Sequence, residues 1–268
     1  MIPPTVSGRL ANIRLHPIKS LDPVRVPEAC ISPSGGLALD RAWALYSVDG
    51  RWVNGKRTAL AHHIRADYSP DLREVALSVP MDRRKLPRRT LAFPEGYEEA
   101  AEWFSVFFEQ QIIVRYAPGG FPDDSIANGP TIISTATLEE VASWFPGLSL
   151  ENVRQRFRTT LEIEGVPEFW EDRLFGEAER SAVRFRIGEV QFEGSNPCAR
   201  CPVPPRDPLT GANLDGFQKR FTQQRESTLP AWSPRERFDH FYRLATNTRV
   251  ASSQAGKALR VGDAVIFE

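Results

Sequence analysis

Two cysteines separated by two residues are the clearest chemical signal in the sequence. Cys198 and Cys201 lie in the segment Asn196-Pro-Cys-Ala-Arg-Cys-Pro-Val-Pro-Pro205, with Arg200 between them. A neighbouring guanidinium favours the thiolate over the thiol, and a thiolate is a soft ligand that suits a redox-active transition metal. Because prolines prevent regular helix, we expect a loop that presents a thiolate to a cavity.

The same spacing leaves three other interpretations open. A structural zinc site needs two further ligands, and without a second C-x-x-C they would have to come from residues such as Cys30 and His240. A thioredoxin-like redox pair normally opens a helix, which Pro202 and Pro204 disfavour. Both cysteines could also be ordinary buried side chains in a loop.

The composition is that of an ordinary globular protein. The chain has 268 residues, with 34 Lys+Arg against 34 Asp+Glu, so its formal net charge is zero. Balanced charge excludes a dominant attraction to nucleic acid, and no apolar run approaches the roughly 20 residues that span a bilayer. The N-terminus lacks the apolar core of a signal peptide, and three cysteines favour a reducing compartment. We therefore expect a cytoplasmic protein with no membrane span and no nucleic-acid partner.

Short β-like runs dominate the pattern, and helical signals are few. Helices are predicted at 97–110, at 137–145 and within 214–225, the second with a capping box formed by Thr137 and Glu140. The fold class is therefore predicted as α+β and β-rich, a barrel or sandwich with peripheral helices.

The predicted strands are separated by turn residues. They are 10–15, 24–31, 42–48, 75–79, 112–116, 131–134, 159–163, 183–187, 190–193 and 264–267. A segment rich in glycine, proline and aspartate at 118–124 indicates a boundary, which divides the chain into modules 1–120 and 121–268.

Several motifs carry a resemblance to a known family. His16-Pro-Ile-Lys-Ser20, followed by Gly36-Leu-Ala-Leu-Asp-Arg-Ala-Trp43, resembles the N-terminal β-barrel module of MOSC proteins. Arg156-Phe-Arg158, the cysteine segment with Asp207-Pro-Leu-Thr-Gly211, and Arg260-Val-Gly-Asp263 resemble the MOSC domain that follows it. Their order and spacing are similar to those of the mitochondrial amidoxime-reducing component and its bacterial relatives.

The resemblance implies a molybdenum cofactor, a molybdopterin that carries Mo at one end and a phosphate at the other. It implies that Cys201 is the metal ligand and the catalytic residue, and that the cofactor lies in a cleft between the two modules. The cofactor-binding residues that it implies are Lys19, Ser20, Arg41, Arg158, Thr160, Arg200 and Asn247. Arg offers phosphate a planar fork of donors, Lys a point charge and Ser a hydroxyl, which fits this assignment.

One of these assignments involves a departure from the family pattern, and another has an alternative. Thr160 stands where relatives often carry asparagine, so its hydroxyl would replace an amide. Arg156, two residues before Arg158, could take the role of that residue.

The implied activity is that of an oxidoreductase that reduces small N-hydroxylated substrates. No four-cysteine pattern for an iron–sulfur cluster is visible, so electrons would come from a separate donor protein with a flavin, haem or iron–sulfur centre. The alternative is a cofactor-binding or sulfur-carrier protein without reductase activity, since MOSC domains also occur in molybdenum cofactor sulfurases. The chain is too short to hold the pyridoxal-dependent domain of those enzymes.

A basic run and the histidines complete the candidate features. The run consists of Arg83, Arg84, Lys85, Arg88 and Arg89. It is either a solvated loop or a docking patch for an acidic electron-transfer partner. The three histidines outside the motifs have no carboxylates at metal or triad spacing and are expected to be structural or exposed; they are His62, His63 and His240.

Overall fold

Seven strands close into a barrel within the part of the chain that the structure describes. The computed structural model describes residues 6–80, 86–122, 127–178 and 181–267. In spatial order the barrel strands are β11 (Leu161–Glu164), β10 (Ile132–Ser134), β14 (Arg243–Arg249), β13 (Val190–Ala199), β12 (Val183–Ile187), β16 (Ala264–Phe267) and β1 (Val6–Leu15). Antiparallel pairing of β1 with β11 closes the ring, and β2 (Val24–Val26) pairs with β1 as an additional strand. Because side chains alternate along a strand, Phe185 and Ile187 of β12 are fully buried.

The N-terminal part of the chain forms a smaller module with its own apolar core. Its strands form two three-stranded sheets, with the orders β5 (Trp52–Val53), β4 (Trp43–Ser47), β9 (Ile112–Tyr116) and β6 (Arg65–Tyr68), β7 (Glu74–Ser78), β8 (Arg89–Ala92). Helix α1 (Tyr97–Phe108) contributes an apolar face to this core, made of Ala100, Trp103, Phe104, Phe107 and Phe108. A separate pair joins β3 (Glu28–Cys30) to β15 (Ala258–Arg260), and Ala29 and Leu259 of this pair pack in the core of the barrel.

Three helices pack beside β10 and β14 around a cluster of aromatic rings. They are α2 (Thr135–Ser143), α3 (Leu150–Phe157) and α4 (Phe217–Ser227). Phe145 stacks on Phe217 with ring centroids 4.3 Å apart, and Phe157 lies tilted against Phe221 at 5.4 Å. This cluster fixes the C-terminal end of α3, where two of the motif arginines lie.

The predicted β-rich α+β class is confirmed, but details of the predicted elements need correction. Thr137 does not cap α2: Ser134 does, since its Oγ accepts a hydrogen bond from the Thr137 amide at 3.0 Å. Helix α3 was not predicted, because in its eight mostly polar residues the buried apolar side chains are Val153 and Phe157. Pro27 separates the predicted strand 24–31 into β2 and β3.

The first strand belongs to the barrel and not to the N-terminal module. It pairs with β16 as well as with β11 and β2, so the order of the chain does not follow the two structural units strictly. The division at residue 120 therefore stays a prediction. In the described ranges, no helix has the length and apolar character needed to cross a membrane.

A buried ionic cluster lies under the barrel helices. Arg225 Nη2 lies 2.5 Å from Asp172 Oδ2, and both side chains are 2% exposed. Asp172 Oδ2 also accepts a hydrogen bond from Ser233 at 2.8 Å. Next to this pair, Glu171 Oε2 accepts hydrogen bonds from Ser134 N and Thr137 Oγ1. One arginine thus neutralises one of two adjacent buried carboxyl groups.

The carboxyl group of Glu171 makes the free energy of unfolding depend on pH. Burial, and then the neighbouring Asp172, raise the pKa of Glu171 to about 7 from its usual 4.5. The native state therefore keeps a proton that the unfolded chain releases, and the free energy of unfolding falls as pH rises from about 4.5 to 7. We expect Glu171→Gln to remove this fall, worth up to about 3 kcal/mol.

Urea unfolding of the native protein and of Glu171→Gln at pH 5 and pH 8 measures the effect. The variant should gain stability relative to the native protein at pH 8 and not at pH 5. The exposed Glu102→Gln serves as the control. Parallel pH dependence of the native protein and Glu171→Gln would contradict the prediction.

Candidate functional site

A cleft of about 630 Å³ lies between the N-terminal module and the barrel. Its walls include all of the residues that the sequence analysis assigned to a cofactor, namely Lys19, Ser20, Arg41, Arg158, Thr160, Arg200, Cys201 and Asn247. These residues come from well-separated segments of the chain, so the fold brings them together. Their roles toward a cofactor stay predictions.

Two motifs of the N-terminal module are joined through their backbones. Arg41 N donates to His16 O at 2.9 Å and Trp43 N donates to Pro17 O at 3.0 Å, while Lys19 N donates to Trp43 O at 2.8 Å. Trp43 is fully buried, with its indole N–H bonded to a carbonyl, and anchors this pairing. The pairing explains why Lys19 and Arg41 reach the same cleft although they are far apart in sequence.

The ammonium group of Lys19 is held in place on two sides. Its Nζ donates to Phe121 O at 2.9 Å and lies 4.6 Å from the centre of the Trp52 ring. A carbonyl and an aromatic face both stabilise a cation. The positive charge of Lys19 is therefore fixed in the wall of the cleft.

Three of the predicted phosphate-binding residues have left-handed backbone conformations. The φ angles are +77° at Ser20, +53° at Arg41 and +51° at Arg158. Such conformations are uncommon for residues with a Cβ, and each costs on the order of 1–3 kcal/mol. Strain of this kind clusters at binding sites, where the surrounding structure maintains it. Five further described non-glycine residues also have positive φ, and at Arg158 the conformation belongs to the end of α3, so it is the shared position in one cleft wall that makes these three residues candidates for binding.

The two arginines at the end of α3 have different tasks. Arg158 ends the helix as its C-cap and lines the cleft. Arg156 also reaches the cleft wall, but its Nη1 donates to Pro204 O at 2.9 Å and to Arg206 O at 2.8 Å. Arg156 therefore holds the proline-rich loop, and the role of Arg158 toward a ligand stays a prediction.

The two cysteines lie at the end of a strand and in the loop that follows it. Cys198 is the penultimate residue of β13, Cys201 lies two residues beyond its end, and both thiols are free and partly exposed to the cleft. Adjacency in sequence predicts the Arg200 guanidinium beside Cys201. The contact in the structure is with Cys198, because Arg200 Nη1 lies 3.2 Å from its Sγ while Nη2 donates to Phe157 O.

The other interpretations of the cysteines find no support. All three cysteines are free, and Cys30 is exposed in β3, on a different sheet from Cys198 and Cys201. Among the described residues, no group of three or more His, Cys, Asp or Glu side chains could hold a metal ion. Because both Cys198 and Cys201 line an open cleft, they are not simply buried apolar side chains.

The segment between β5 and β6 contributes a part of the cleft wall that the sequence motifs did not predict. Asn54, Lys56 and His62 line the cleft although no motif includes them. Burial, and then the cations of Arg158 and Arg206, lower the pKa of His62 to about 4, so the imidazole is neutral near pH 7. The adjacent His62-His63 pair was interpreted as structural or exposed, and nothing in its spacing distinguishes the first histidine.

The predicted basic docking run lies only partly within the described residues. Residues 83–85 lie outside the described residues. Arg88 pairs with Asp67 at 3.1 Å, and Arg89 pairs with Glu99 at 2.6 Å. Neither arginine lines the cleft. Their charges are compensated locally, which weakens the case for docking at this run.

Comparisons with known proteins agree with the geometry. A model of the MOSC N-terminal beta barrel domain matches residues 7–111, and a model of the MOSC domain matches residues 130–266. A molybdenum cofactor sulfurase from Drosophila grimshawi is 25% identical over 226 residues, which cover 72% of this chain and 27% of the relative. The matched part is thus about a quarter of the length of that relative.

Proposed function

The chain belongs to the MOSC domain family, and from this premise we propose that its cleft holds a molybdenum cofactor. The proposed reaction is the reduction of small N-hydroxylated compounds, with electrons from a separate donor protein. The family membership rests on the two domain matches, which together span most of the chain. The observation that carries the proposal is the convergence of Lys19, Arg41, Arg158 and Cys201 on one cleft.

The chemistry of the cleft fits such a cofactor. Its volume lies within the range of about 300–1,000 Å³ that is usual for small-molecule sites. Three cationic side chains, Lys19, Arg41 and Arg158, suit a phosphate, which needs several fixed donors when it leaves water. The partly exposed thiol of Cys201 suits a soft metal. The wall therefore offers separate partners for a phosphate and for a metal.

Each group of residues then has a defined task. Lys19, Ser20, Arg41 and Arg158 would bind the phosphate, and Cys201 would ligate the metal. Thr160 and Asn247, which are buried at the wall, would orient the pterin through hydrogen bonds. When bound, the molybdenum centre supplies the two-electron chemistry that cleaves an N–O bond.

The proton balance of the reaction points to solvent. Conversion of an N–OH group to N–H and water consumes two electrons and two protons. Asp40 is the acidic residue of the described wall and the first candidate for a proton donor. Its carboxylate accepts a hydrogen bond from His16 N at 2.6 Å and lies 3.8 Å from Arg41 Nε. Because Asp40 is already engaged and His62 is neutral, we assign the protons to water that enters the open cleft.

Metal analysis and turnover test this proposal together. Protein from a host that makes molybdopterin should contain about one molybdenum per chain, and protein from a deficient host should be folded but free of it. The loaded protein should reduce an amidoxime with chemically reduced viologen dye. Equal zinc in both preparations, with no molybdenum in either, would refute it.

A sulfur-carrier function is the second candidate. The resemblance to a molybdenum cofactor sulfurase favours it, as do two accessible thiols in one cleft. A carrier would bind the cofactor, and one of its cysteine thiolates would take the sulfane sulfur of a donor enzyme's persulfide, whose own thiolate leaves. Mass spectrometry detects the new persulfide. It would not turn over an amidoxime with any electron donor, so the turnover assay separates the two functions.

Replacing Arg41 tests the phosphate site. Arg41→Ala removes one charged donor, and hydrogen bonds to charged groups contribute about 1.5–3 kcal/mol each. Cofactor affinity should therefore fall roughly ten- to a hundredfold. Pterin content at limiting cofactor measures the loss, with the exposed Arg51→Ala as the matched control. Unchanged pterin content in Arg41→Ala would show that this residue does not bind the phosphate.

A further inference from the structure

The imidazole of His62 is a buried group in the cleft wall that the proposed reaction does not use. The residue is 8% exposed, and its Nε2 is buried with no hydrogen-bond partner among the described residues. A buried polar atom without a partner costs about 1–3 kcal/mol, so native proteins keep few of them. The next residue differs, because His63 Nε2 lies 2.8 Å from Thr210 O. The unused nitrogen of His62 indicates a partner that is not part of the described chain.

The Nε2 atom of His62 borders a narrow space beside Gly55 and Ser20. A Cβ built on Gly55 would lie 3.1 Å from His62 Nε2 and 3.8 Å from the Cβ of Ser20. The Gly55 backbone favours the protonated ring, but it makes no hydrogen bond of normal geometry with Nε2. All three residues line the cleft, and a larger side chain at position 55 would fill this space. The unused nitrogen is therefore close to Ser20, one of the proposed phosphate-binding residues.

Arg158 belongs to the same cluster. A small cavity of about 20 Å³, with room for about one water, shares this part of the wall with the cleft. Its lining includes Ser20, His62 and Arg158, and the same three residues line the cleft. After burial, the cation of Arg158 is the strongest influence that lowers the pKa of His62. The imidazole thus lies beside two of the residues that the proposed function assigns to a phosphate.

Positive charge reaches His62 from three elements. Arg158 ends α3, Arg206 follows the cysteine loop and Arg65 begins β6. Burial, and then the cations of Arg158 and Arg206, lower the pKa of His62 to about 4. Arg65 adds a weaker effect in the same direction. An acidic group, Asp22, also lines the small cavity, but it pairs with Arg65 at 3.0 Å. The ring is therefore neutral near pH 7, and cations contribute to keeping it neutral.

We propose that His62 is a further phosphate-binding residue, and that its imidazole takes a proton from water when the phosphate group of a ligand binds beside Ser20 and Arg158. The bound dianion offsets the neighbouring cations and favours the imidazolium, which has two donor nitrogens instead of one. This proton stays on the ring while the anion is bound, so it does not enter the proton balance of the reaction. The inference rests on the proposed function for the place of the phosphate, and it needs no redox chemistry.

Proton uptake makes the affinity of the site depend on pH. The pKa of His62 is about 4 in the free protein, and an opposite charge nearby raises the pKa of a base by about 1–3 units. Because proton and anion favour each other by the same factor, the affinity for the anion rises as pH falls toward 4. A site made of arginine and lysine alone would show no such dependence between pH 5 and pH 8, because these groups stay charged there.

Cofactor-free protein and sulfate test the proposal, since sulfate keeps both negative charges from pH 5 to pH 8. NMR of the ring should show that bound sulfate raises the pKa of His62 by about two units. Calorimetry should then show an affinity for sulfate about tenfold higher at pH 5 than at pH 8. His16, which Arg158 also affects, does not line the cleft and gives a separate NMR signal.

Two glutamine variants separate the role of His62 from that of its neighbour. His62→Gln keeps a polar side chain that cannot take up a proton, so the pH dependence of sulfate binding should disappear. His63→Gln is the matched control at the adjacent position and should keep that dependence. A pKa of His62 that stays near 4 with sulfate bound, equal pH dependence in His62→Gln and the native protein, or no sulfate binding to the native protein would overturn the inference.

Loaded protein identifies the source of the phosphate. Bound molybdopterin should raise the pKa of His62 without sulfate and should prevent sulfate from binding. Sulfate that binds to loaded protein as it does to cofactor-free protein, with the same rise in the pKa of His62, would refute the proposed place of the cofactor phosphate. That result would leave His62 standing as a phosphate-binding residue for another ligand.

Discussion

Cys201→Ser is expected to retain much of the pterin and to lose reduction of N-hydroxylated substrates. A serine hydroxyl is a poor metal ligand at neutral pH, whereas the proposed phosphate-binding side chains lie on other segments and are untouched. Removal of groups that only orient a metal ligand lowers metal affinity or activity about 10–100-fold, so removal of the ligand itself should lower activity further. Pterin content, metal content and turnover with reduced viologen measure the three parts of this result.

Cys198→Ser provides the matched control on the same segment. Its thiol is contacted by Arg200 Nη1, and a serine oxygen can accept a hydrogen bond from the same guanidinium. Activity should therefore remain largely intact. A zinc site or a redox disulfide needs both sulfurs, so equal loss in the two variants would contradict the assignment of Cys201 as the protein's thiolate on the metal. Full activity of Cys201→Ser would contradict it as well.

The second large expected effect is a loss in the free energy of unfolding and not in catalysis. Arg225→Met removes the cation that faces Asp172 and leaves a carboxylate that is 2% exposed without its partner. Removal of one member of a buried ion pair costs about 3–5 kcal/mol. The loss should be larger than in an exposed pair, because the Arg225 guanidinium is also enclosed by the rings of Phe169 and Phe238, at 4.2 and 5.0 Å.

The double variant distinguishes charge from packing. Arg225→Met combined with Asp172→Asn removes both charges, so much of the lost free energy of unfolding should return. Arg235→Met, in an exposed pair with Glu226, is the control and should cost less than about 1 kcal/mol. Chemical denaturation at one pH measures all four proteins. A loss in Arg225→Met no larger than in Arg235→Met would contradict the prediction.

The residues that the family resemblance assigned to a cofactor all line one cleft, and they could be located because they lie in motifs, which are local. Lys19 and Arg41 were assigned from two short segments, and the structure shows the reason for their spacing. The segments pair through Trp43, so each must present its cation at a fixed distance from the shared backbone bonds. Short strands such as β9 and β12 were predicted for a similar reason, since alternation of side chains is visible within five residues.

Features that depend on contacts between distant segments could not be predicted. Helix α3 is mostly polar, and its apolar side is defined only by the aromatic cluster around Phe217 and Phe221. The neighbour of Arg200 was assigned to Cys201 from adjacency in sequence, but a strand end directs adjacent side chains apart, and the guanidinium reaches Cys198. His62 joins the cleft through the close approach of two modules, which no local pattern records.

The first and the last described strands, β1 and β16, pair with each other in the barrel, so the barrel cannot be completed until late in synthesis. Strand β1 pairs with β2 at its end, but Val6 and Arg9 at its start pair with β16, so this part of the strand lacks that partner until the last described residues have been made. At about 5–20 residues per second, a ribosome needs roughly 13–50 s to travel from the first strand to the last. The two three-stranded sheets of the N-terminal module use only residues 43–116 and can form during this time. The start of β1 must wait with an unpaired edge on the nascent chain, which makes it the segment on which a ribosome-bound chaperone would act.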